Sequence, residues 1–332
     1  MKVMVVGGAG YIGSHMVKML FEAGHAVVTF DNLASGFRDA VLYGEFVLGD
    51  LEDRIAIDNA MTAHRPDAVM HFASHIQVGE SVQLPDKYYR NNFSNTMHLL
   101  DAMRAHGVRH FIFSSTAAIF GEPRYVPIDE QHPRQPVNPY GKSKWMVEHA
   151  LADYDRAFGL KYVCLRYFNA AGADPSGFLG ERHEPETHLI PLLLQVASGQ
   201  REHIEVFGRD YDTPDGTCIR DYIHILDLCS AHLLALEHLI NGGPSEHFNL
   251  GNGAGFSVQQ VIDAAQQVTG ARIAVQNAPR RPGDPAQLVA DASRARGMLG
   301  WTPQHADLHT IIGHAWRWQC RDGRPAQPAR SQ

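Results

Sequence analysis

The chain has 332 residues, 44% of them hydrophobic, enough to bury a large core and to divide into two domains. Acidic residues (36) outnumber basic ones (29), and the formal charge of −7 argues against a nucleic-acid binder, which would carry a basic face. No stretch approaches ~18 consecutive apolar residues, no signal-peptide layout precedes the first strand, and the four cysteines lack CxxC spacing. The expectation is a soluble, intracellular (cytoplasmic) protein with reduced thiols.

Lys2–Val6 reads as a strand and Tyr11–Ala23 as a helix, with Ile12, Met16, Met19 and Leu20 on one face. Strands are predicted at Ala26–Phe30, Glu45–Leu48, Ala68–Phe72, His110–Ser114 and Lys161–Leu165. Helices are predicted at Ile55–Ala63, Lys87–His106 and Pro139–Phe158. Strands separated by helices of this length imply right-handed crossovers and a parallel sheet. The expected class is therefore α/β: a Rossmann-type doubly wound sheet over residues 1–168, with a smaller C-terminal α/β substrate domain over 169–332. Part of the latter, about 222–250, is expected to return to the first domain. From Asn169 to about Pro185 the composition suggests a loop over a site. Helices follow at Thr187–Ser198, from an Asp227 N-cap to Ile240, within the amphipathic Phe256–Thr269, and at Leu308–Arg317; Ile204–Phe207 reads as a short strand. The terminal PAQPARSQ reads as a frayed tail.

The run GGAGYIGSHMVKMLFEAGHAVVTFDN places Gly7, Gly10 and Gly13 after a strand and at the opening of a helix, with Asp31 ending the next strand. A tight turn followed by a solvated aspartate would explain each part singly. Their joint spacing points to a dinucleotide: Gly7 permits the turn, Gly10 lets the backbone approach a pyrophosphate, and Gly13 lets the helix pack on the sheet. Asp31 would accept hydrogen bonds from the adenosine ribose hydroxyls and repel a 2′-phosphate, favouring NAD over NADP.

NPYGKSK supplies Tyr140 and Lys144, four apart and on one helical face. Ser115–Thr116 lie at the end of the predicted strand His110–Ser114, where ligands gather in open parallel sheets. Removing hydride from a carbinol needs a base for the hydroxyl proton. A tyrosine titrating near ~10 can serve only if nearby cations favour the phenolate. Tyr140 is assigned as base then acid, Lys144 as the group that tunes it and anchors a ribose, and Thr116 as the hydroxyl that orients the reacting oxygen.

The G-x-x-G-x-x-G spacing with Tyr-x-x-x-Lys resembles the extended short-chain dehydrogenase/reductase superfamily. Nearly the whole chain resembles its UDP-glucose 4-epimerase (UDP-galactose 4-epimerase) family, through GGAGYIGSH, FDNL, GDLED, HFASHIQVGES, FSSTAAIFG, NPYGKSK, LRYFNAAGADPSG, DGTCIRDYIH, FNLGNG, RRPGD and LVADASRA. The resemblance implies a tightly held NAD that takes hydride from C4 of the sugar and returns it to the other face of a 4-keto intermediate. It further implies cofactor contacts from Gly7, Gly10, Tyr11, Ile12, Gly13, Asp31, Asn32, Asp50, Leu51, Phe72, Ala73, Asn91, Ser114, Tyr140, Lys144 and Phe168. For the UDP-sugar it implies Thr116, Tyr140, Asn169, His188, Leu189, Phe207, Arg220, Tyr222, Arg281, Asp284 and Leu288. Arginine forks suit a diphosphate. Equally, Arg220 could pair with Asp221 or Asp227, and Arg280–Arg281 could be a solvated pair.

Several positions depart from the family's pattern. Ile76 stands where many relatives carry a cofactor-contacting lysine, His188 where many carry asparagine, and Thr116 where many carry serine. Leu288 and Val289 replace bulky aromatics of the substrate wall. An epimerase of UDP-xylose/UDP-arabinose or of UDP-N-acetylhexosamines fits the same frame. A 4,6-dehydratase would need an Asp–Glu pair after the threonine, where Ala117 and Ala118 stand. His71 and His75 in HFASH lack a third ligand, so no metal site is expected. A homodimer is implied through Lys87–His106 and Pro139–Phe158, whose Met97, Leu100, Met103, Trp145, Met146 and Leu151 exceed what a sheet face requires.

Overall fold

A computed structural model describes residues 1–281 and 283–321; the predicted PAQPARSQ tail lies outside the described residues. Seven parallel strands form the main sheet: β1 (Lys2–Val6), β2 (Ala26–Asp31), β3 (Glu45–Leu48), β4 (Ala68–His71), β5 (His110–Thr116), β6 (Lys161–Tyr167) and β7 (Glu246–Leu250). Their order is β7-β6-β5-β4-β1-β2-β3, a Rossmann fold whose direction of winding reverses between β1 and β4.

Side-chain alternation loads both faces of this sheet. Val3 and Val5 join Met70, Ile112, Val163, Phe248 and Leu250 on one face, under helices α1 (Tyr11–Glu22) and α6 (Ile225–Ile240). Met4 and Val6 join Val69, Phe111, Phe113 and Cys164 on the other, under α2 (Arg54–His64), α3 (Asn95–Ala105) and α4 (Pro139–Phe158). The chain crosses back to the sheet after residue 220, so α6 and β7 complete the first layer, as expected of the stretch near 222–250.

A second lobe is built around α5 (Leu189–Ala197), α7 (Val258–Thr269) and α8 (Leu308–Gln319). Three small sheets brace it. Asn169–Ala171 pairs with Tyr222–His224, Ile204–Phe207 with Val275–Ala278, and Ile219–Arg220 lies between Phe256–Ser257 and Gln287–Leu288. α7 opens with a capping box in which Ser257 and Gln260 satisfy each other's amides.

The structure corrects three expectations. The predicted helix over 87–106 is interrupted: Tyr89–Ser94 widens into a π-helical turn. There the buried Asn92 amide accepts the His75 N–H and donates to the His75 carbonyl, each at 2.9 Å, tying the turn to the loop after β4. Asp227 does not cap α6. His224 does, through Nδ1 and the Leu226 N–H at 3.1 Å, while the buried Asp227 carboxylate accepts the Gln304 and His305 amides at 2.7 and 2.8 Å. Finally, Leu100, Met103 and Leu151 are fully buried in the core beneath the sheet, because α3 and α4 turn their apolar stripes inward. Met97 packs at that core's edge, leaving Trp145 half-buried and Met146 exposed on α4. Among the described residues no helix is long and apolar enough to cross a membrane.

Candidate active site

The glycine turn follows β1. Gly7 has φ +80°, and a Cβ there would lie 2.4 Å from the Ala73 amide nitrogen; at Gly13 it would lie 2.1 Å from the Gly7 carbonyl oxygen. The turn therefore closes against both the β4 loop and α1 only without side chains. At Gly10 the nearest atom to a Cβ would be the Gly7 oxygen at 3.4 Å, so that face stays open. No side chain caps α1, which leaves the first-turn amides of Tyr11 and Ile12 without a capping partner.

Asp31 ends β2 beside this turn. Its Oδ2 accepts the Ala9 N–H at 2.9 Å and its Oδ1 the Leu33 N–H at 2.8 Å, and each oxygen keeps acceptor capacity. Burial raises its pKa, and the two amide donors oppose that rise. Asn32 donates to Asp50 at 2.7 Å, bringing FDN and GDL together, and Leu51 is buried beside them. The Phe72 and Ala73 amides both donate to the Val6 carbonyl, at 2.8 and 3.2 Å. Asn91, in the π-helical turn, donates to Asn92 at 2.9 Å. A cradle without side chains, an uncapped helix terminus and an adjacent carboxylate fit a dinucleotide.

At the end of β5 the strand alternation separates neighbours. Ser115 points beneath α4, where its hydroxyl donates to Glu148 at 2.6 Å; Glu148 is held bidentate by Arg166 at 2.6 and 3.0 Å. Ser115 thus belongs to a buried ion-pair network rather than to the reacting edge. Ser114 and Thr116 face the other way. Ser114 Oγ hydrogen-bonds the Tyr167 hydroxyl, and Thr116 Oγ1 accepts the Ala118 N–H at 3.1 Å, keeping its own proton to donate.

Tyr140 reaches this edge because α4 starts there. Asn138 caps the helix, accepting the Gly141 N–H at 2.8 Å, and Pro139 occupies its first position. A Cβ at Gly141 would stand 2.4 Å from the Ala118 carbonyl oxygen, so glycine lets the helix start rest on the turn after Thr116. Tyr140, half-buried, lies edge-on to Tyr88 with ring centroids 6.5 Å apart. Burial pushes its phenol above the ordinary tyrosine value, and a hydrogen bond with the Thr116 side chain pulls the other way. Lys144, one turn on, donates to the Ser114 carbonyl at 2.8 Å and to Ser74, and stands 4.9 Å over the Phe113 ring. Burial lowers it to about 7. In this structure the Lys144 ammonium is held by the Ser114 carbonyl and the Ser74 hydroxyl.

Phe168 and Leu288 pack on the same small cluster of Ala117, Ile119, Phe120 and Ile128, next to Thr116. Leu288 is in register with Arg220, whose guanidinium pairs with Asp284 rather than with Asp221 or Asp227. Arg281 stacks on Phe207 at 3.8 Å, while its neighbour Arg280 pairs with Asp210 at 2.7 Å. The backbone N–H of Asn169 donates to the Asp221 carbonyl at 3.1 Å, joining the two strands of its small sheet. Tyr222, by contrast, is buried in the second lobe's core, since the period of its strand points it away from solvent. His188 precedes Leu189 at the start of α5 and hydrogen-bonds Glu181; against the lowering effect of burial, that carboxylate raises the imidazole to about 9.

Sequence reasoning missed Asn138 and Gly141, although Asn-Pro-x-Gly before an amphipathic run is a readable helix start. It also missed Glu148, which lies on the Tyr140–Lys144 face at the next i+4 step, and Ser74, which no local pattern reveals. His71 and His75 have separate partners: His71 hydrogen-bonds Thr96 at 3.0 Å, and His75 rests on Tyr88.

The NAD dependent epimerase/dehydratase family matches residues 3–251. The chain belongs to that family. A UDP-glucose 4-epimerase of Halalkalibacterium halodurans is 52% identical over 318 residues, covering 96% of this chain and 95% of the relative. The crystal structure of the Brucella ovis UDP-glucose 4-epimerase in complex with NAD superposes with a TM-score of 0.93 at 50% identity, covering 95% of this chain and 97% of that one. The Bifidobacterium longum UDP-glucose 4-epimerase in complex with NAD+ and UDP gives 0.92 at 37% identity, over 97% and 99%. Within its family the chain is one of the UDP-glucose 4-epimerases, NAD-using isomerases.

Proposed function

We propose that Tyr140, Thr116 and Lys144 carry the reversible C4 epimerisation of a UDP-hexose, UDP-glucose/UDP-galactose, at the end of β5. The observation that carries this reading is the seating of the α4 start on the Thr116–Ala118 turn, which sets the phenol beside the Thr116 hydroxyl. Tyr140 accepts the C4 hydroxyl proton and later returns it, while Thr116 donates to the reacting oxygen as negative charge develops. Lys144, anchored by Ser114 and Ser74, would tune the Tyr140 phenol and anchor a cofactor ribose. Gly7, Gly10, Tyr11, Ile12, Gly13, Asp31, Asn32, Asp50, Leu51, Phe72, Ala73, Asn91, Ser114 and Phe168 would hold NAD, which would supply the hydride acceptor and donor.

Arg220, Arg281 and Asn169 would hold the diphosphate, Asp284 the uridine ribose, and Phe207, His188 and Leu189 the wall of the nucleotide site. Binding would have to exchange the Arg220–Asp284 pair for ligand contacts. Tyr222, buried, supports the wall from behind. Leu288 borders the sugar. Residues 1–168 with the returning stretch near 222–250 would form the nucleotide lobe, and the rest of 169–332 the sugar-nucleotide lobe.

A homodimer across α3 and α4 is part of the proposal. It now rests on Met146 and Trp145, together with the exposed Val78 and Val82 of the neighbouring short helix, 78–83, which packs on α4. Incubation of the pure protein with UDP-galactose, UDP-N-acetylgalactosamine and UDP-xylose, followed by NMR, tests the function. Conversion of UDP-galactose to UDP-glucose without net NADH is expected; conversion of none of the three would overturn the reading.

A further inference from the structure

Between residues 181 and 188 four side chains of metal-binding type converge: Glu181, His183, Glu186 and His188, each offering one ligand atom, all within 4.8 Å of one another. The cluster contains none of Tyr140, Thr116 and Lys144, shares His188 with the proposed nucleotide wall, and was not foreseen in the sequence, where attention falls on HFASH. The spacing E-x-H-x-x-E-x-H comes from one loop that folds back before α5.

Two features set this cluster apart from a surface acidic patch. Both carboxylates are only 6% exposed, so their charges have left water and need compensation. In addition, His183 Nδ1 is sealed from solvent between the two carboxylates, 3.4 Å from Glu181 Oε1 and 3.4 Å from Glu186 Oε2. A nitrogen equidistant from two carboxylate oxygens, drawn into a short bond with neither, leaves room for a positive ion among the three. Tetrahedral ligands about 2.0–2.2 Å from a zinc-class ion stand roughly 3.3–3.6 Å from one another. The His183 spacings match this, while His188 Nδ1 is 3.9 Å from Oε1 of Glu186, the oxygen of that carboxylate other than the one facing His183. The direct His188–Glu181 contact would open by about an ångström to admit the ion.

We propose that Glu181, His183, Glu186 and His188 form a divalent-cation site of the zinc class, with two imidazole nitrogens and two carboxylate oxygens. Its position gives the ion a structural role. His183 meets Tyr11 edge-on at 6.3 Å, beside the uncapped start of α1, and Glu181's carbonyl accepts the Trp318 indole N–H of α8 at 3.0 Å. An ion here ties the 181–188 loop to both lobes. It also cancels two buried negative charges near a helix terminus suited to anions. The inference does not depend on which sugar the enzyme turns over.

The rival occupant is a proton on each imidazole, which would balance the same two carboxylates. Purification without chelators, elemental analysis, and titration of the chelated full-length protein with zinc chloride separate the two. One zinc per chain is expected, with affinity falling by more than 10²-fold in a His183→Gln/Glu186→Gln chain, beyond the loss usual for a supporting residue. Absence of stoichiometric zinc binding, or equal binding by the double variant, would overturn the site. Should that variant not fold, anomalous scattering at the zinc edge from zinc-soaked parent crystals decides instead. A peak among the four residues supports the proposal, and a peak elsewhere, or none, ends it.

Discussion

The ammonium of Lys144 donates to the carbonyl oxygen of Ser114 at 2.8 Å, fixing a buried cation against the last residues of β5. Burial lowers this lysine to about 7, from an ordinary 10.5. Between those two values the unfolded chain binds the extra proton, so stability without cofactor should rise with pH across that window. Lys144→Met removes the cost. The variant should be more stable than the parent by a few kcal/mol near about pH 6.5, with the gap narrowing toward about pH 10, while losing activity by ~10² or more. Urea melts of both chains across that range check it; parallel pH profiles would count against the assignment.

Tyr140→Phe keeps the ring on Tyr88 and removes only the proton carrier. Turnover should fall by ~10² or more with NAD content unchanged. A variant within a few-fold of the parent would remove Tyr140 from the mechanism.

Gly141→Ala places a methyl 2.4 Å from the Ala118 carbonyl oxygen. The start of α4 must then lift from the Thr116 turn, costing ~1–3 kcal/mol and, through a displacement near 1 Å, about 10²-fold in turnover. Thermal melts and initial rates measure the two effects; unchanged rates would mean that the seating of Tyr140 is not critical.

Beneath the site, Glu148 and Arg166 are almost wholly buried and bonded bidentate. Glu148→Ala strands the guanidinium and should destabilise by about 3–5 kcal/mol, whereas replacing both partners with apolar residues should cost much less. Denaturant unfolding of the single and double variants tests this; a single-variant loss below about 1 kcal/mol contradicts it.

Leu288 lies by the Phe168 cluster next to Thr116, consistent with a position at the sugar. UDP-galactose should be preferred over UDP-N-acetylgalactosamine by roughly one to two powers of ten in kcat/KM. Leu288→Tyr should raise the ratio and Leu288→Gly lower it. A ratio moved by neither substitution removes Leu288 as the gate.

Much of this site was legible because its chemistry is local. The glycine turn, Asp31 and the Tyr140–Lys144 pair are patterns within single elements, whose geometry follows from helical and strand periods. Thr116 is read as the orienting hydroxyl, and the strand's alternation separates it from Ser115 by sending Ser115 under α4 to Glu148. β7 went unread because Glu246–Leu250 has only Phe248 and Leu250 as strong apolar signals and gains its place by pairing with β6. The π-helical turn at Tyr89–Ser94 depends on Asn92 meeting His75, a contact no periodicity encodes. The outward stripe expected of α3 proved to be core, since hydrophobic content alone does not say which side of a helix meets a sheet.

The central claim is that hydride leaves C4 and returns to C4 within one active site. Incubation of UDP-galactose deuterated at C4 with the enzyme in ordinary water, followed by NMR of the UDP-glucose formed, tests this directly. Full retention of deuterium at C4 of the product is the predicted result; its replacement by solvent hydrogen would contradict the account.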